Sequence, residues 1–323
     1  MANIFYQGAE LGMTSGTAHN AYARFERVQD IKVDYQIPRT PVPVIGRFKP
    51  LNEQPVINYT PVNLSVSYTK GNKDIERYLG LLNSTGVAVQ IGQGTEVSDW
   101  GARNYIIYNA PLTSNTYAGQ WEITSGILKS FTLNGSVGEP VKGSISVEGI
   151  DLRQSANTSA RTIPTYSGYL IKPEGQSITG MDFTGLGYTG LTIQSFSFQV
   201  NFNHANTYRL GTKYPERRIT EASATLQLSA FMEGASNTAT SITGFDCGAP
   251  MAGQHILTLQ PSCATGNNTL ATVITMTSPY LVNHSLGVQV GNFTAVDLSF
   301  VCPLSIVPFE CTGLDQGSNV TIT

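Results

Sequence analysis

The sequence is short of charged residues, and this shortage narrows the possible classes of protein. Charged side chains make up 13% of the 323 residues, about half of the usual share of ~25% in globular domains. A long-helix or coiled-coil protein, which needs many Glu, Lys and Arg residues, is therefore disfavoured. The 19 basic and 22 acidic residues give a net charge of −3, so no overall positive field attracts nucleic acid phosphates.

The sequence also lacks recognisable catalytic and metal-binding motifs. The four cysteines Cys247, Cys263, Cys302 and Cys311 form no CxxC pair, so a zinc site is not supported. We expect free buried thiols, with a disulfide formed after release from the cell as the alternative. The four histidines have no metal-binding spacing, and no nucleophile elbow, P-loop or dinucleotide-binding fingerprint occurs. We predict that the protein is not an enzyme and uses no metal or cofactor.

Long hydrophobic runs are missing as well. No stretch of about 18 apolar residues occurs, so no membrane-spanning helix is predicted. Residues 1–16 show no basic region followed by an apolar region, so we expect a chain that is made in the cytoplasm without a signal peptide. What the sequence has is 32 Gly, abundant Ser, Thr and Asn, and an ordinary apolar share of 41%. This composition is typical of an ordered, strand-rich protein.

Alternation of apolar and polar residues with a period of two is the main structural signal. The alternating runs are 28–37, 61–68, 127–137 and 141–149. Gly138-Glu139-Pro140 separates the last two runs and predicts a hairpin. Each run predicts an antiparallel strand with one buried and one wet face.

One segment has helical spacing. Residues 71–82 place Asn72 as an N-cap before apolar residues that are three or four positions apart, which predicts a helix. We expect this helix to pack on the apolar side of the sheet.

The alternating blocks are repeated within the chain. The matching blocks are 28–50 with 193–215 at an offset of 165 residues, 62–68 with 224–230 at 162, and 127–147 with 280–300 at 153. Any two alternating strands share apolar matches, but alternation does not predict shared glycines, such as Gly138 with Gly291, or a preserved block order. The repeat therefore indicates a duplicated domain.

The repeat divides the chain into five segments. They are an N-terminal arm at 1–27, a first domain at 28–153, a linker at 154–190, a second domain at 191–306 and a C-terminal tail at 307–323. The second domain has no counterpart of the helix. The predicted fold class is mainly β, with two tandem β-sandwich or barrel domains and one short helix in the first.

The first domain combines a strand, a long loop, a second strand, a helix and a closing hairpin. These elements are IKVDYQIPR and PVPVIGRFKPL, then PVNLSVSYTKGNKDIERYLGLL, then the hairpin 130–153, which ends in Glu148-Gly149-Ile150-Asp151-Leu152. This order resembles the major tail tube proteins of long-tailed, siphovirus-type bacteriophages. The resemblance covers 28–153 well and 191–306 more weakly, through the repeat.

The resemblance implies a structural virion protein that polymerises as stacked rings into the tail tube, the conduit for genome ejection into the host. Two tail tube domains in one chain imply trimeric, pseudo-hexameric rings. The implied partners are further copies of the chain, the tape measure protein and double-stranded DNA in the lumen, and the tail terminator and distal tail proteins at the ends. The implied location is the virion tail, assembled in the host cytoplasm without a membrane partner. A terminator or distal tail ring, and a β-sandwich module that binds a receptor or carbohydrate, are the alternatives.

A barrel formed by six such domains would turn one face of each strand toward the lumen. Four strands per domain would give about 24 strands, more than the 16–18 that already enclose an aqueous channel. The positions predicted to face the lumen are Asp30, Lys32, Asp34, Gln36, Asn63, Ser65, Ser67, Ser130, Thr132, Asn134, Ser136, Ser144, Ser146, Glu148, Ser195, Ser197, Gln199, Asn201, Ser223, Thr225, Gln227, Ser229, Asn283, Ser285, Gln289, Asp297 and Ser299. One is basic and four are acidic, so this wall offers DNA phosphates almost no counter-charge. Alternatively, these positions are the solvated face of an ordinary β-sandwich.

Two basic groups are candidates for contacts between rings. They are Arg47 and Lys49 in the Pro-rich loop 38–61, and Lys213, Arg217 and Arg218 in its counterpart in the second domain. A solvated charge cluster on the surface is the alternative.

Overall fold

Strands account for 90% of the residues whose structure can be described. The computed structural model describes residues 9–15, 22–25, 27–35, 61–71, 79, 88–91, 103–109, 119–155, 171, 176–179, 191–207, 210, 215–232, 254–259, 272–277, 279–287, 294–304, 309–312 and 318–322. The strands of these ranges are β1 (Ala9–Ser15), β2 (Tyr22–Arg24), β3 (Val28–Tyr35), β4 (Val62–Thr69), β5 (Ala88–Ile91), β6 (Arg103–Asn109), β7 (Gly119–Ser136), β8 (Glu139–Gly149), β9 (Asp151–Ser155), β10 (Gln176–Thr179), β11 (Leu191–Thr207), β12 (Glu216–Met232), β13 (Gln254–Leu259), β14 (Thr272–Thr277), β15 (Tyr280–Gly287), β16 (Thr294–Leu304), β17 (Phe309–Thr312) and β18 (Ser318–Ile322). The prediction of a mainly β fold is confirmed.

The predicted helix at 71–82 lies outside the described residues, apart from Gly71 and Leu79. Leu79 is a buried turn residue and belongs to the hydrophobic core. The segment between them is not described, so the helix remains a prediction.

Twelve of the described strands form one antiparallel sheet. The C-terminal half of β7 lies in an uninterrupted path of eight strands with the order β15-β16-β12-β11-β7-β8-β4-β3. The N-terminal half of β7 pairs instead with β6 and β9, and β6 continues to β1 and β2. Between the two halves, Ser125 has a positive φ of 49°, and its backbone N–H donates a 3.0 Å hydrogen bond to Asn104 Oδ1.

The eight-stranded path consists of two four-stranded units with the same internal order. The first unit is β3-β4-β8-β7 and the second unit is β11-β12-β16-β15. Their cross-strand pairs coincide under the offsets of the sequence repeat. The equivalent pairs are Ile31–Val66 and Phe196–Leu228, Val66–Ile145 and Leu228–Leu298, and Phe131–Ile145 and His284–Leu298.

Two of the register shifts in the first unit recur in the second. The register shift between Val28 and Asp30 in β3 recurs between Ile193 and Ser195 in β11. The shift between Leu128 and Ser130 in β7 recurs between Leu281 and Asn283 in β15. The skipped glutamines of the first pair, Gln29 and Gln194, each donate a side-chain hydrogen bond to the carbonyl two residues earlier, at 3.3 and 3.2 Å. Because a β-bulge is a specific local feature and not a general property of alternating strands, its recurrence reinforces the repeat.

One face of this sheet forms the hydrophobic core. The alternating apolar residues predicted from the sequence, such as Leu64, Phe198 and Leu226, are buried there. A second, four-stranded sheet, β10-β13-β14-β18, contributes Leu257 and Ile274 to the same hydrophobic cluster. Burying an aliphatic or aromatic side chain of this size contributes about 1.5–3 kcal/mol, so the cluster fixes which face of each strand points inward.

Three segments outside the two predicted domains also carry structure. The predicted N-terminal arm supplies β1 and β2, and Phe25 is buried against Tyr105, with 6.5 Å between the ring centroids. The described residues of this segment thus pair within the chain's own sheet. The predicted linker supplies β10 and the buried Ile171. The predicted C-terminal tail supplies β17, which pairs with β5, and β18, which pairs with β14 in parallel.

Candidate functional site

The face of the eight-stranded path opposite the core is lined by polar side chains, and we refer to it as the polar face. All the positions predicted to face a lumen lie in the described strands except Gln36 and Gln289. Apart from Glu148, which is buried, these side chains are exposed or half-buried. The structure therefore places them together on one surface.

The polar face runs without interruption through both units. One row of directly paired residues crosses six strands, and its members are Asp30, Ser67, Ser144, Thr132, Gln199 and Thr225. The row passes from the first unit to the second where β7 pairs with β11. Because side chains alternate with a period of two, the buried apolar face on one side fixes this polar row on the other.

Each lysine described on the polar face has a carboxylate partner. Lys32 Nζ lies 3.2 Å from Asp34 Oδ2, and Lys129 Nζ lies 3.1 Å from Glu148 Oε2. A third lysine, Lys142, precedes Ser144 by two residues, and its Nζ lies 2.6 Å from Glu139 Oε2. The three positive charges are therefore locally compensated.

Lys129 and Lys142 were missing from the residues predicted to line this surface. Lys142 lies within the alternating run 141–149, on the same side as Ser144, so the pattern already marked it although the prediction began at Ser144. Lys129 lies at the register shift of β7, and a bulge of this kind breaks the period on which the prediction depends. The hydrogen bond and positive charge of Lys142 lower the pKa of the exposed Glu139 carboxyl below its usual value.

Hydrogen bonds between neighbouring side chains cross-link the polar face. Gln199 Nε2 donates to Asn201 Oδ1 at 2.9 Å, and Ser229 Oγ donates to Asp297 Oδ1 across β12 and β16. A groove of about 390 Å³ lies where the two units meet, and its wall includes Asn134 along with other polar residues. The described residues contain no group of three or more His, Cys, Asp or Glu side chains that could hold a metal ion. The polar face thus offers a hydrogen-bonding surface with compensated charge.

The margin of the polar face is less polar than its centre. Phe231 follows Ser229 in the alternation of β12, pairs with Thr192 and is exposed. Val137, at the turn between β7 and β8, is also exposed. This turn consists of Val137 and Gly138, and the positive φ of 86° at Gly138 favours glycine there.

The candidates for contacts between rings fall mostly outside the described residues. Arg47, Lys49 and Lys213 lie in segments that are not described. The backbones of Arg217 and Arg218 belong to β12, where they pair with β11, but their side chains are not described.

The expectation of a buried thiol outside a disulfide is confirmed at Cys302. Its side chain is buried in the core without a disulfide, and burial raises the pKa of the thiol. Cys247 and Cys263 lie outside the described residues, and Cys311 is described only as part of the backbone of β17.

Comparison with known proteins identifies no relative from which a function could be inferred. The sequence matches no model of a known protein family and no curated protein. Within the described ranges, no helix has the length and apolar character that crossing a membrane requires.

Proposed function

We propose that this protein is a structural subunit of the tail tube of a long-tailed bacteriophage. Three chains form each ring with six similar domains, rings stack into a tube, and the polar face lines the conduit through which the genome passes. The observation that carries the proposal is the polar face itself, which continues through two four-stranded units of the same order and register. The sequence resemblance to tail tube proteins supports the same function.

The charge distribution fits a passage for DNA better than a binding site for DNA. A protein that binds the phosphate backbone of DNA neutralises the phosphates with Lys and Arg side chains. On the polar face, Lys32, Lys129 and Lys142 each lie within 3.2 Å of a carboxylate oxygen. Such a wall gives little counterion release on contact with a duplex, so DNA can move along it without being held.

The first test is negative-stain microscopy of the purified protein, combined with its mass in solution. The proposal predicts hollow stacked rings with a repeat of three chains. Compact monomers, or solid trimers that never stack, would instead favour a β-sandwich binding module. Single rings that never stack would favour a terminator or distal tail ring.

A second test asks whether the polar face lies inside the assembly. Ser65 and Gln227 are exposed and equivalent positions of the two units, so Ser65→Arg with Gln227→Arg would add about six cations to each ring. We expect tubes of this variant to retain linear duplex DNA, with affinity falling as salt rises. They should not retain covalently closed circular DNA, which cannot enter through a tube end.

The matched control is Ser65→Gln, which changes the same surface without adding charge and should retain neither DNA. Equal retention of linear and circular DNA by the arginine variant would place the polar face outside the assembly and contradict the proposal.

A further inference from the structure

The contact between the two units within one chain is an edge-to-edge strand pairing. The last strand of the first unit, β7, pairs with the first strand of the second unit, β11. We call this pairing the junction. Its direct pairs are Ser136–Ser195, Gly135–Phe196, Asn134–Ser197, Leu133–Phe198, Thr132–Gln199, Phe131–Val200 and Ser130–Asn201.

The two outer strands of the eight-stranded path are the counterparts of the strands that meet at the junction. Among the described strands, β3 pairs only with β4 and β15 pairs only with β16. In the repeat, β3 corresponds to β11 and β15 corresponds to β7. One edge of the eight-stranded path is thus β3, the counterpart of β11. The other edge is β15, the counterpart of β7.

Apolar residues that are buried at the junction are exposed at the outer strands. Leu133 is fully buried (0% exposed), whereas its counterpart Leu286 is 49% exposed. Val200 is 2% exposed, whereas its counterpart Tyr35 is 44% exposed. The outer strands therefore carry apolar surface of the kind that strand pairing covers at the junction.

We propose that β15 of one chain pairs with β3 of a second copy of this chain, antiparallel and in the register of the junction. The proposal deepens the proposed function, on which it rests, by naming the strands and the register that close the ring. The expected direct pairs between chains are His284–Tyr35, Ser285–Asp34, Leu286–Val33 and Gly287–Lys32. This contact uses two different edges of each chain, and such a contact generates a ring when three copies of its rotation complete the circle.

The side chains are compatible with this register. Ser285 would lie opposite Asp34, as Ser229 lies opposite Asp297, where the hydroxyl donates to the carboxylate. Gly287 would lie opposite Lys32, and a methyl group built on Gly287 meets nothing closer than 3.9 Å. The long lysine side chain therefore has room.

A second copy is favoured over a different partner because the matching edge is already present in the chain. Exposed strand edges pair readily with other strands, and the junction shows that these two kinds of edge pair with each other in this protein. Pairing of β3 with another β3 would bring together two strands that both carry Asp30, Lys32 and Asp34. Neither that contact nor a β15–β15 contact has a precedent at the junction.

Engineered cysteines test the register in the full-length protein. Directly opposite residues have Cα atoms about 4.5–5.5 Å apart, within disulfide range, whereas a displacement of two residues takes them beyond about 7 Å. After mild oxidation, the Ser285→Cys/Asp34→Cys variant should yield covalent dimers and trimers on a non-reducing gel. The matched control Ser285→Cys/Lys32→Cys, displaced by two residues, should yield about tenfold less of these products. The unmodified protein reports any background from its four native cysteines.

Equal or greater cross-linking in the displaced variant would overturn the proposed register. Cross-linking of Ser285→Cys alone would show β15–β15 pairing and would also overturn the proposal. Microscopy of the same samples separates this inference from the proposed function. Stacked hollow rings without the in-register cross-link would keep the tube and reject this contact, whereas cross-linked chains that never form a tube would keep the contact and reject the tube.

Discussion

The cross-strand pair Tyr68–Gly143 allows a quantitative test of the repeat. Tyr68 is buried, and a Cβ atom built on Gly143 would lie 2.1 Å from Tyr68 Cζ. The equivalent pair of the second unit is Ala230–Val296, in which the large and small residues have exchanged strands. We therefore expect Gly143→Val to clash on its own and to be tolerated together with Tyr68→Ala.

The expected energies follow from the geometry of this pair. To reach ordinary contact near 3.5 Å, the Tyr68 ring would have to retreat from the new Cβ by about 1.4 Å. Such overpacking costs about 1–3 kcal/mol, and a clash this close belongs at the upper end. Tyr68→Ala alone should cost about 3–5 kcal/mol through its cavity. In the double variant, the valine fills part of that cavity, so the free energy of unfolding should exceed the additive value by about 2–3 kcal/mol.

Urea denaturation followed by circular dichroism would measure the four members of this cycle. Gly287→Ala is the matched control, because it also removes a strand glycine but its new methyl group meets nothing closer than 3.9 Å. It should change the free energy of unfolding by less than about 1 kcal/mol. If Tyr68→Ala does not fold, Tyr68→Leu gives a smaller cavity for the same cycle. Additive effects of Gly143→Val and the Tyr68 substitution would refute the equivalence of the two pairs.

Two further predictions concern the polar face and the core. The ion pair Lys129–Glu148 corresponds to Val282 and Val301 in the second unit. Because Glu148 is buried and Lys129 is partly exposed, Lys129→Val should destabilise the protein by about 1–3 kcal/mol. Adding Glu148→Val should recover that loss in urea denaturation, and a further loss would contradict the correspondence. Burial raises the pKa of the Cys302 thiol in the folded state, so on raising the pH the thiol ionises first in the unfolded chain. The free energy of unfolding should therefore fall as the pH rises past the ordinary thiol pKa of 9.0. Cys302→Ala should reduce this fall between pH 8 and 10, and an unchanged slope would mean that another group causes it.

The strands of both units could be predicted from the sequence because their physics is local. An alternating run such as 61–68 has only one arrangement that buries its apolar residues, and β4 occupies Val62–Thr69 as a result. The repeat then related the two units without any structural information. Residues related by its offsets form equivalent cross-strand pairs in the two units. Alternation alone does not specify which residues pair across strands.

Other strands form because distant segments of the chain pair with each other, and the sequence pattern gives no clear sign of them. β7 begins at Gly119, eight residues before the predicted run, because its N-terminal half pairs with β6 and β9. The segment 119–126 is only half-buried for most of its length, so it shows little of the alternation that marks a strand with one buried face. Strands β1 and β2 were likewise predicted to be part of an arm, because residues 1–27 lie outside the repeat and nothing in their sequence reveals that β1 pairs with β6.

The differences between the units show which features the proposed ring requires. Side chains have changed in compensated pairs, Tyr68–Gly143 becoming Ala230–Val296, while the backbone registers and both bulges coincide. A ring that alternates two kinds of contact closes only when the rotations of both contacts together complete the circle, so the strand pairing that sets those rotations has to be kept. It places no such demand on the interior, where compensated changes of volume leave the strands in place. Divergence of side chains, with the strand pairing kept constant, is therefore what a duplicated ring subunit should show.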